Sequence, residues 1–132
     1  MGLKIYNYVH IACYCALFAG AGIVMKDFSG LSARVSIYSE SGDYSGKSLT
    51  NPTVPMELKP DYKGGVVLIG RHVVVGTNST ILPGEILGEG VANDAHSLVA
   101  KSCEPWSIFA GTPAKRIKAR SRDLLLLEKR LL

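Results

Sequence analysis

Hydrophobic positions recur along this chain every six residues, a spacing used by neither an amphipathic helix nor an alternating strand. One track runs Ile5, Ile11, Leu17, Ile23, Ser29 and Val35, and a second runs Ile69, Val75, Ile81, Leu87, Asn93 and Val99. Ten of these twelve are Ile, Leu or Val, types that fill only 35 of the 132 positions overall. Four residues after each comes another biased position: Val9, Cys15, Ala21, Asp27, Ala33 and Ser39, then Val73, Ser79, Glu85, Val91, Ser97 and Cys103. Ten of those twelve are Ala, Ser, Cys or Val, and Gly70, Gly76 and Gly88 directly follow aliphatic residues of the second track.

This period predicts a coil of short strands. The aliphatic residue points into a narrow triangular interior, the small residue sits inward near a corner, and glycine tolerates the turn. Three hexads close one turn, so residues eighteen apart should stack: Ile5 on Ile23, Leu17 on Val35, Ile69 on Leu87 and Ile81 on Val99. The same period accounts for the apolar N-terminus. Lys4, the apolar run 9–18 and Ala19-Gly20-Ala21 imitate a signal peptide. Residues 9–25 imitate a marginal membrane span, although His10 and Tyr14 interrupt it. Both are by-products of hexads rich in Ile, Ala and Gly, and Tyr6 stands where myristoylation needs Ser or Thr. No membrane association is expected.

Two segments go beyond periodicity. Ile69-Gly70-Arg71-His72-Val73-Val74-Val75-Gly76-Thr77-Asn78-Ser79-Thr80-Ile81-Leu82-Pro83-Gly84 resembles the final-coil signature of the sugar and xenobiotic O-acetyltransferases. Ile108-Phe109-Ala110-Gly111-Thr112-Pro113-Ala114-Lys115 resembles their Gly-x-Pro-Ala-Lys exit segment. With the hexads, residues 5–120 resemble the hexapeptide-repeat acyltransferases. The resemblance implies an all-β fold, a left-handed parallel β-helix with an extruded loop and a short C-terminal α-helix. The β-helix would span residues 1–113 with a loop excursion over 41–66, and a basic segment with a capping helix would span 114–132. It further implies a cytoplasmic homotrimer that transfers an acetyl group from acetyl-CoA to a hydroxyl or amino group of a sugar or similar small molecule.

Composition sharpens this picture. At 14.2 kDa the chain holds one domain, and its mean hydropathy of +0.18 excludes disorder. The net charge of +4 divides unevenly: residues 115–130 carry seven basic and two acidic groups, leaving the remainder at −1. A charge confined to one tail, with no groove-reading motif, argues against nucleic acid. Cys13, Cys15 and Cys103 make neither an even disulfide set nor a CxxC pair and are expected to be free thiols.

The excursion has no repeat and many Gly and Pro; Tyr38, Tyr44 and Tyr62 are candidate flat surfaces for a sugar ring, with Asp43, Asn51 and Asp61 as hydroxyl partners. In the resembled family such a loop walls the acceptor pocket, and a His in or beside it commonly serves as general base. Here the loop holds no His. The candidate bases are therefore Asp43 or Glu40, a His outside the loop, or none if the acceptor is an amine. His72 and Asp43 are the expected catalytic residues. His72 and His96 occupy outward hexad positions, exposed or in a subunit contact, while the wide His spacing matches no metal site of this fold, so no metal is expected.

For acetyl-CoA the resemblance maps Thr77, Ser79, Ser97, Ala110, Gly111 and Thr112 beside the pantetheine arm, and Lys101, Lys115 and Arg116 beside phosphate. Glu85 and Asn93 intrude where small and aliphatic residues are usual, so either those coils are locally distorted or bulged or the chain is a weakened member of the family. Past Pro113, Ser121 should cap a helix whose Leu124, Leu127 and Leu131 fold over the open end of the coil. The missing loop His and these intrusions also sustain an alternative, a catalytically inactive β-helix trimer that binds a small molecule or a protein.

Overall fold

The computed structural model describes residues 2–132. The chain winds as a three-sided coil. Its first turn is β1 (Leu3–Ile5), β2 (His10–Ile11) and β3 (Ala16–Phe18). The second is β4 (Ile23–Met25), β5 (Gly30–Leu31) and β6 (Ser36–Tyr38). An excursion then leaves through β7 (Glu40–Ser41), carries a 3-10 turn at Met56–Leu58, and returns antiparallel through β8 (Lys63–Gly64). The third turn is β9 (Val67–Ile69), β10 (Val74–Val75) and β11 (Thr80–Ile81). The fourth is β12 (Ile86–Leu87), β13 (Ala92–Asn93) and β14 (Leu98–Val99). Finally come β15 (Ser107–Ala110), β16 (Lys115–Ala119) and α1 (Leu124–Leu131).

Strands from successive turns pair in parallel to make three faces. The first face is β1-β4-β9-β12, the second β2-β5-β10-β13-β15, and the third β3-β6-β11-β14. On the second face β16 adds an antiparallel edge strand. Register fixes three interior columns. Ile5, Met25, Ile69, Leu87 and Cys103 stack behind the first face. Ile11, Leu31, Val75, Asn93 and Phe109 stack behind the second, and Leu17, Ile37, Ile81 and Val99 behind the third.

These columns confirm Ile69 on Leu87 and Ile81 on Val99, and correct the first turn. Ile5 faces Met25, and Leu17 faces Ile37. Two extra residues between β3 and β4 lengthen that turn to twenty, so Ile23, Ser29 and Val35 fall at the inward position two before the column residue. They remain buried because both positions face the interior. The buried serines return hydrogen bonds to corner carbonyls: Ser29 Oγ to Lys26 at 2.7 Å and Ser97 Oγ to Asp94 at 2.7 Å. Interior hydroxyls are thereby satisfied without water.

All three corners use left-handed backbone, at Gly22 and Gly84 in the corner between third and first faces, but in the other two it falls mainly on residues with side chains. At the corner between first and second faces, Tyr8, Phe28, His72 and Trp106 have φ of 57°, 63°, 62° and 54°. At the next corner, Tyr14, Arg34, Asn78 and His96 have φ of 60° to 61°. Each such residue is strained by about 1 kcal/mol or more. Ladder stacking offsets the first set: Tyr8 lies on Phe28 and Phe28 on His72, both with ring centroids 4.9 Å apart. Gly90, with φ +73°, fills the ladder position between His72 and Trp106, and the Trp106 ring covers the space a Cβ would need.

Asn93 and Glu85 do not distort the coil as expected. Asn93 keeps register with Val75 and Phe109, only 3% exposed, and neither its side-chain nitrogen nor its oxygen has a hydrogen-bond partner. Burial pushes the Cys103 thiol up in pKa. Glu85 is half-buried and accepts from Ser102 Oγ at 3.4 Å. The C-terminal helix also differs from expectation. Its Leu124, Leu125 and Glu128 face the coil's flank, whereas Leu127 and Leu131 are exposed. The last turn is covered instead by β16.

Candidate active site

The excursion springs from the corner between third and first faces, where the extra residues of the chain are concentrated. Its base is held by β7 and β8, and Tyr62 donates to Glu40 Oε2 at 3.0 Å across that base. Burial raises the Tyr62 pKa, and Glu40 adds to the rise. The phenol therefore stays protonated and keeps donating. Asp43 follows immediately on β7. Ser45 donates to its Oδ2 from both hydroxyl (2.5 Å) and backbone N–H (3.1 Å). The hydroxyl contact chiefly holds the Asp43 carboxyl below the usual range, outweighing desolvation, with smaller help from backbone N–H groups and the Lys63 charge. Asp43 is thus a fixed anion at neutral pH.

A cleft of about 470 Å³ opens beside it, walled by Gly42, Asp43, Tyr44 and Lys63 of the excursion and by Leu82, Pro83, Glu85 and Ala100 of the coil. The small groove next to it shares Ala100 and is lined by Lys101, Pro113, Ala114 and Lys115. Acceptor-sized space and exposed cations therefore adjoin along one edge. Lys101 and Lys115 form no ion pair among the described residues, whereas Arg116 Nε meets Glu104 at 3.2 Å and Ser107 Oγ at 3.0 Å. Unpaired exposed ammonium groups are the donor chemistry that phosphate requires.

The expected site residues separate into three groups. Asp43, Lys101 and Lys115 lie along this edge. Thr77, Ala110, Gly111 and Thr112 lie at or beside the second-to-third corner, where Thr77 Oγ1 donates to the Ala33 carbonyl (2.6 Å) and Thr112 Oγ1 to the His96 carbonyl (3.1 Å). Ser79 and Ser97 are interior: Ser97 N–H donates to Ser79 Oγ, and both hydroxyls donate to the Asp94 carbonyl. Their exposures of 0% and 2% turn both side chains inward, leaving only their backbone to border the arm.

His72 is on the first-to-second corner, away from Asp43 within this chain. It is 9% exposed, because its outward position is covered by this chain's own helix. Glu128 Oε1 lies 2.7 Å from His72 Nε2 and also pairs with Arg71. Arg120 donates to the carbonyls of His72 (2.8 Å) and Gly90 (3.0 Å), and burial lowers its pKa. Sequence reading missed Glu128, Arg120 and Ser45. Ser45, two residues from Asp43, was legible as an Asx-turn partner, but the helix contact joins residues 56 apart and leaves no local signal. No group of three or more His, Cys, Asp or Glu side chains poised for a metal occurs among the described residues. No helix there is long and apolar enough to cross a membrane.

No family model matches the chain. A dTDP-4-amino-4,6-dideoxy-D-glucose acyltransferase of Escherichia coli is 42% identical over 127 residues, covering 96% of this chain and 66% of that protein. A probable macrolide acetyltransferase of Lysinibacillus sphaericus is 38% identical over 113 residues, covering 86% of this chain and 61% of that protein. The chain thus spans somewhat less than two thirds of these curated relatives. Among solved structures, the N-acyltransferase AntD from Bacillus cereus, in complex with dTDP and 3-hydroxybutyryl-CoA, superposes with a TM-score of 0.91 at 40% identity. That match covers 98% of this chain and 71% of AntD. A hexapeptide-repeat acetyltransferase from Vibrio cholerae shares the fold, with a TM-score of 0.76 at 19% identity, covering 90% of this chain and 63% of that one. The motifs, the three-sided coil and these likenesses agree: the chain belongs to the hexapeptide-repeat acyltransferase family.

Proposed function

We propose that this chain is an acetyl-CoA-dependent acetyltransferase whose acceptor is an amino sugar. The coil is read as a left-handed parallel β-helix, assembled as a homotrimer in the cytoplasm, in keeping with three free cysteines. The observation that carries the proposal is the shared wall at Ala100: the Asp43 cleft and the groove of Lys101 and Lys115 form one continuous edge. The substrates for which the relatives are named, a dTDP-linked 4-amino sugar among them, support an amine acceptor.

Acetyl-CoA, when bound, supplies a thioester carbonyl for attack. Lys101, Lys115 and Arg116 would hold its phosphates, with Thr77, Ala110, Gly111 and Thr112 along its arm. Asp43 would orient the acceptor through a charge-assisted hydrogen bond and receive the proton that the amine releases. A carboxylate with a lowered pKa is a weak base, too weak to activate a sugar hydroxyl efficiently. It suffices for an amine that is already nucleophilic once neutral. His72 would enter the chemistry only if its pair with Glu128 opened, so its role in this reading is to fix the helix against the coil. Calorimetric titration with acetyl-CoA tests the proposal. Saturable binding that weakens several-fold in Lys101→Ala/Lys115→Ala is expected; no binding by the folded protein contradicts it.

A further inference from the structure

Glu40 is one of the two carboxylates that the sequence offers as a base, yet it lines neither of the spaces that Asp43 borders. Its carboxylate lies against the first turn of the coil. A Cβ at Gly20 would stand 2.7 to 2.8 Å from the carboxyl carbon and both oxygens, so a residue without a side chain is what leaves room for them. Gly20 belongs to the long connection between β3 and β4. Beside it, Ala21 N–H donates to Ser39 Oγ at 3.0 Å, and Gly65 N–H donates to the Ser39 carbonyl at 2.9 Å. The corner that departs from the period of six is therefore tied to both stalks of the excursion. From this seat Glu40 Oε2 accepts from the Tyr62 hydroxyl at 3.0 Å, and no cation pairs with Glu40 among the described residues. Tyr62 in turn borders a space of about 520 Å³ with Asp43, Ser45 and Lys63.

Resting on the amino-sugar reading above, we infer that Glu40 is a positioning residue and not the base: seated on Gly20, it fixes Tyr62 as a wall of the space that the acceptor enters beside Asp43. Burial first, and then the hydrogen bond and charge of Glu40, raise the Tyr62 pKa, so the phenol keeps donating at neutral pH. A charge-assisted bond of this kind holds the wall in place before the acceptor arrives. Releasing it leaves the Ser45 contacts of Asp43 intact but frees the wall, and apparent affinity then falls with the fraction of molecules that keep the binding geometry.

The test is calorimetric titration of dTDP-4-amino-4,6-dideoxyglucose and, separately, of acetyl-CoA into wild type, Glu40→Ala, Glu40→Gln, Tyr62→Phe, Gly20→Ala and Gly20→Ala/Tyr62→Phe. Thermal melting verifies folding, and acetyl transfer is measured for wild type and Glu40→Gln. Glu40→Ala and Tyr62→Phe should each weaken acceptor binding about 10-fold, the result of a competent fraction reduced to about a tenth. Gly20→Ala lies outside both spaces but displaces the carboxylate, so it should match them, and adding it to Tyr62→Phe should cost nothing more. Glu40→Gln, whose amide oxygen still accepts from the phenol, should retain most of the acceptor affinity and of the transfer rate. Acetyl-CoA binding should be the same in all. Wild-type acceptor affinity in folded Glu40→Ala or Tyr62→Phe, additive losses in the double variant, a parallel loss of acetyl-CoA binding, or no acceptor binding by folded wild type would overturn the inference. So would collapse of transfer in Glu40→Gln with acceptor binding intact, which is the mark of a base. If Gly20→Ala does not fold, Glu40→Ala against Glu40→Gln decides: equal acceptor affinity in the two overturns it. Wild type that shows the Glu40-dependent acceptor binding but transfers no acetyl group would instead strike the acetyltransferase reading alone.

Discussion

The two corners whose left-handed positions mostly carry side chains and the third corner, where glycine takes that conformation, follow opposite rules. From face one to two, and from two to three, consecutive column residues are always six apart, as in Ile69, Val75 and Ile81. From face three back to one the interval is eight at Leu17 to Met25, thirty-two at Ile37 to Ile69, six at Ile81 to Leu87 and four at Val99 to Cys103. The first two corners hold strained backbones stacked in ladders, so each turn fixes the next. The third corner has no such ladder and accepts chain of any length. The cleft beside Asp43 and the exit groove both open there, which places variable chemistry where it does not disturb register.

Insertion distinguishes the corners most sharply. Adding a single Gly after Asn78 would turn the following column residues out of the interior and should lower unfolding free energy by roughly 3–5 kcal/mol or prevent folding. The same insertion after Gly46 lengthens an existing loop and should change stability by less than about 0.6 kcal/mol. Urea denaturation measures both, and equal losses would erase the distinction. Within the coil, Ile69→Ala should cost about 2–5 kcal/mol, because its column neighbours Met25 and Leu87 cannot collapse into the gap.

At the ladder, Gly90→Ala should lose about 1–3 kcal/mol by thermal melting, since a Cβ there meets Trp106 and φ is positive. Asn93→Leu should act oppositely and gain about 1–2 kcal/mol, because it replaces an unpartnered buried amide by an apolar side chain of similar shape. The smallest effect is at the third corner. The Asp43 pKa is lower folded than unfolded, so its interactions with Ser45 stabilise the protein above the unfolded value of about 3.9. That contribution disappears as pH falls through the lower folded value. The melting difference between wild type and Asp43→Asn should therefore be largest near neutrality and vanish once the pH has fallen below the folded value.

The coil was legible because period six is rare and its two inward positions are two residues apart. That same property concealed the register slip. A shift of two moved the track from Leu17 onto Ile23, Ser29 and Val35, which are also inward, so the pattern stayed apolar while the stacking partners changed. Asp43 and the exit segment were readable from local sequence. The burial of His72 was not, because it depends on Glu128 arriving from a helix whose leucines offer two plausible faces.

The central claim is that the third corner performs acyl transfer to an amine. Its most direct test is the rate of acetyl transfer from acetyl-CoA to dTDP-4-amino-4,6-dideoxyglucose, compared between wild type and Asp43→Asn with matched melting temperatures at pH 7. Transfer by wild type and a rate at least about 100-fold lower in the variant are predicted. Equal rates would remove Asp43 from the chemistry, and no transfer by a folded wild type that binds both ligands would contradict the claim and favour a binding module.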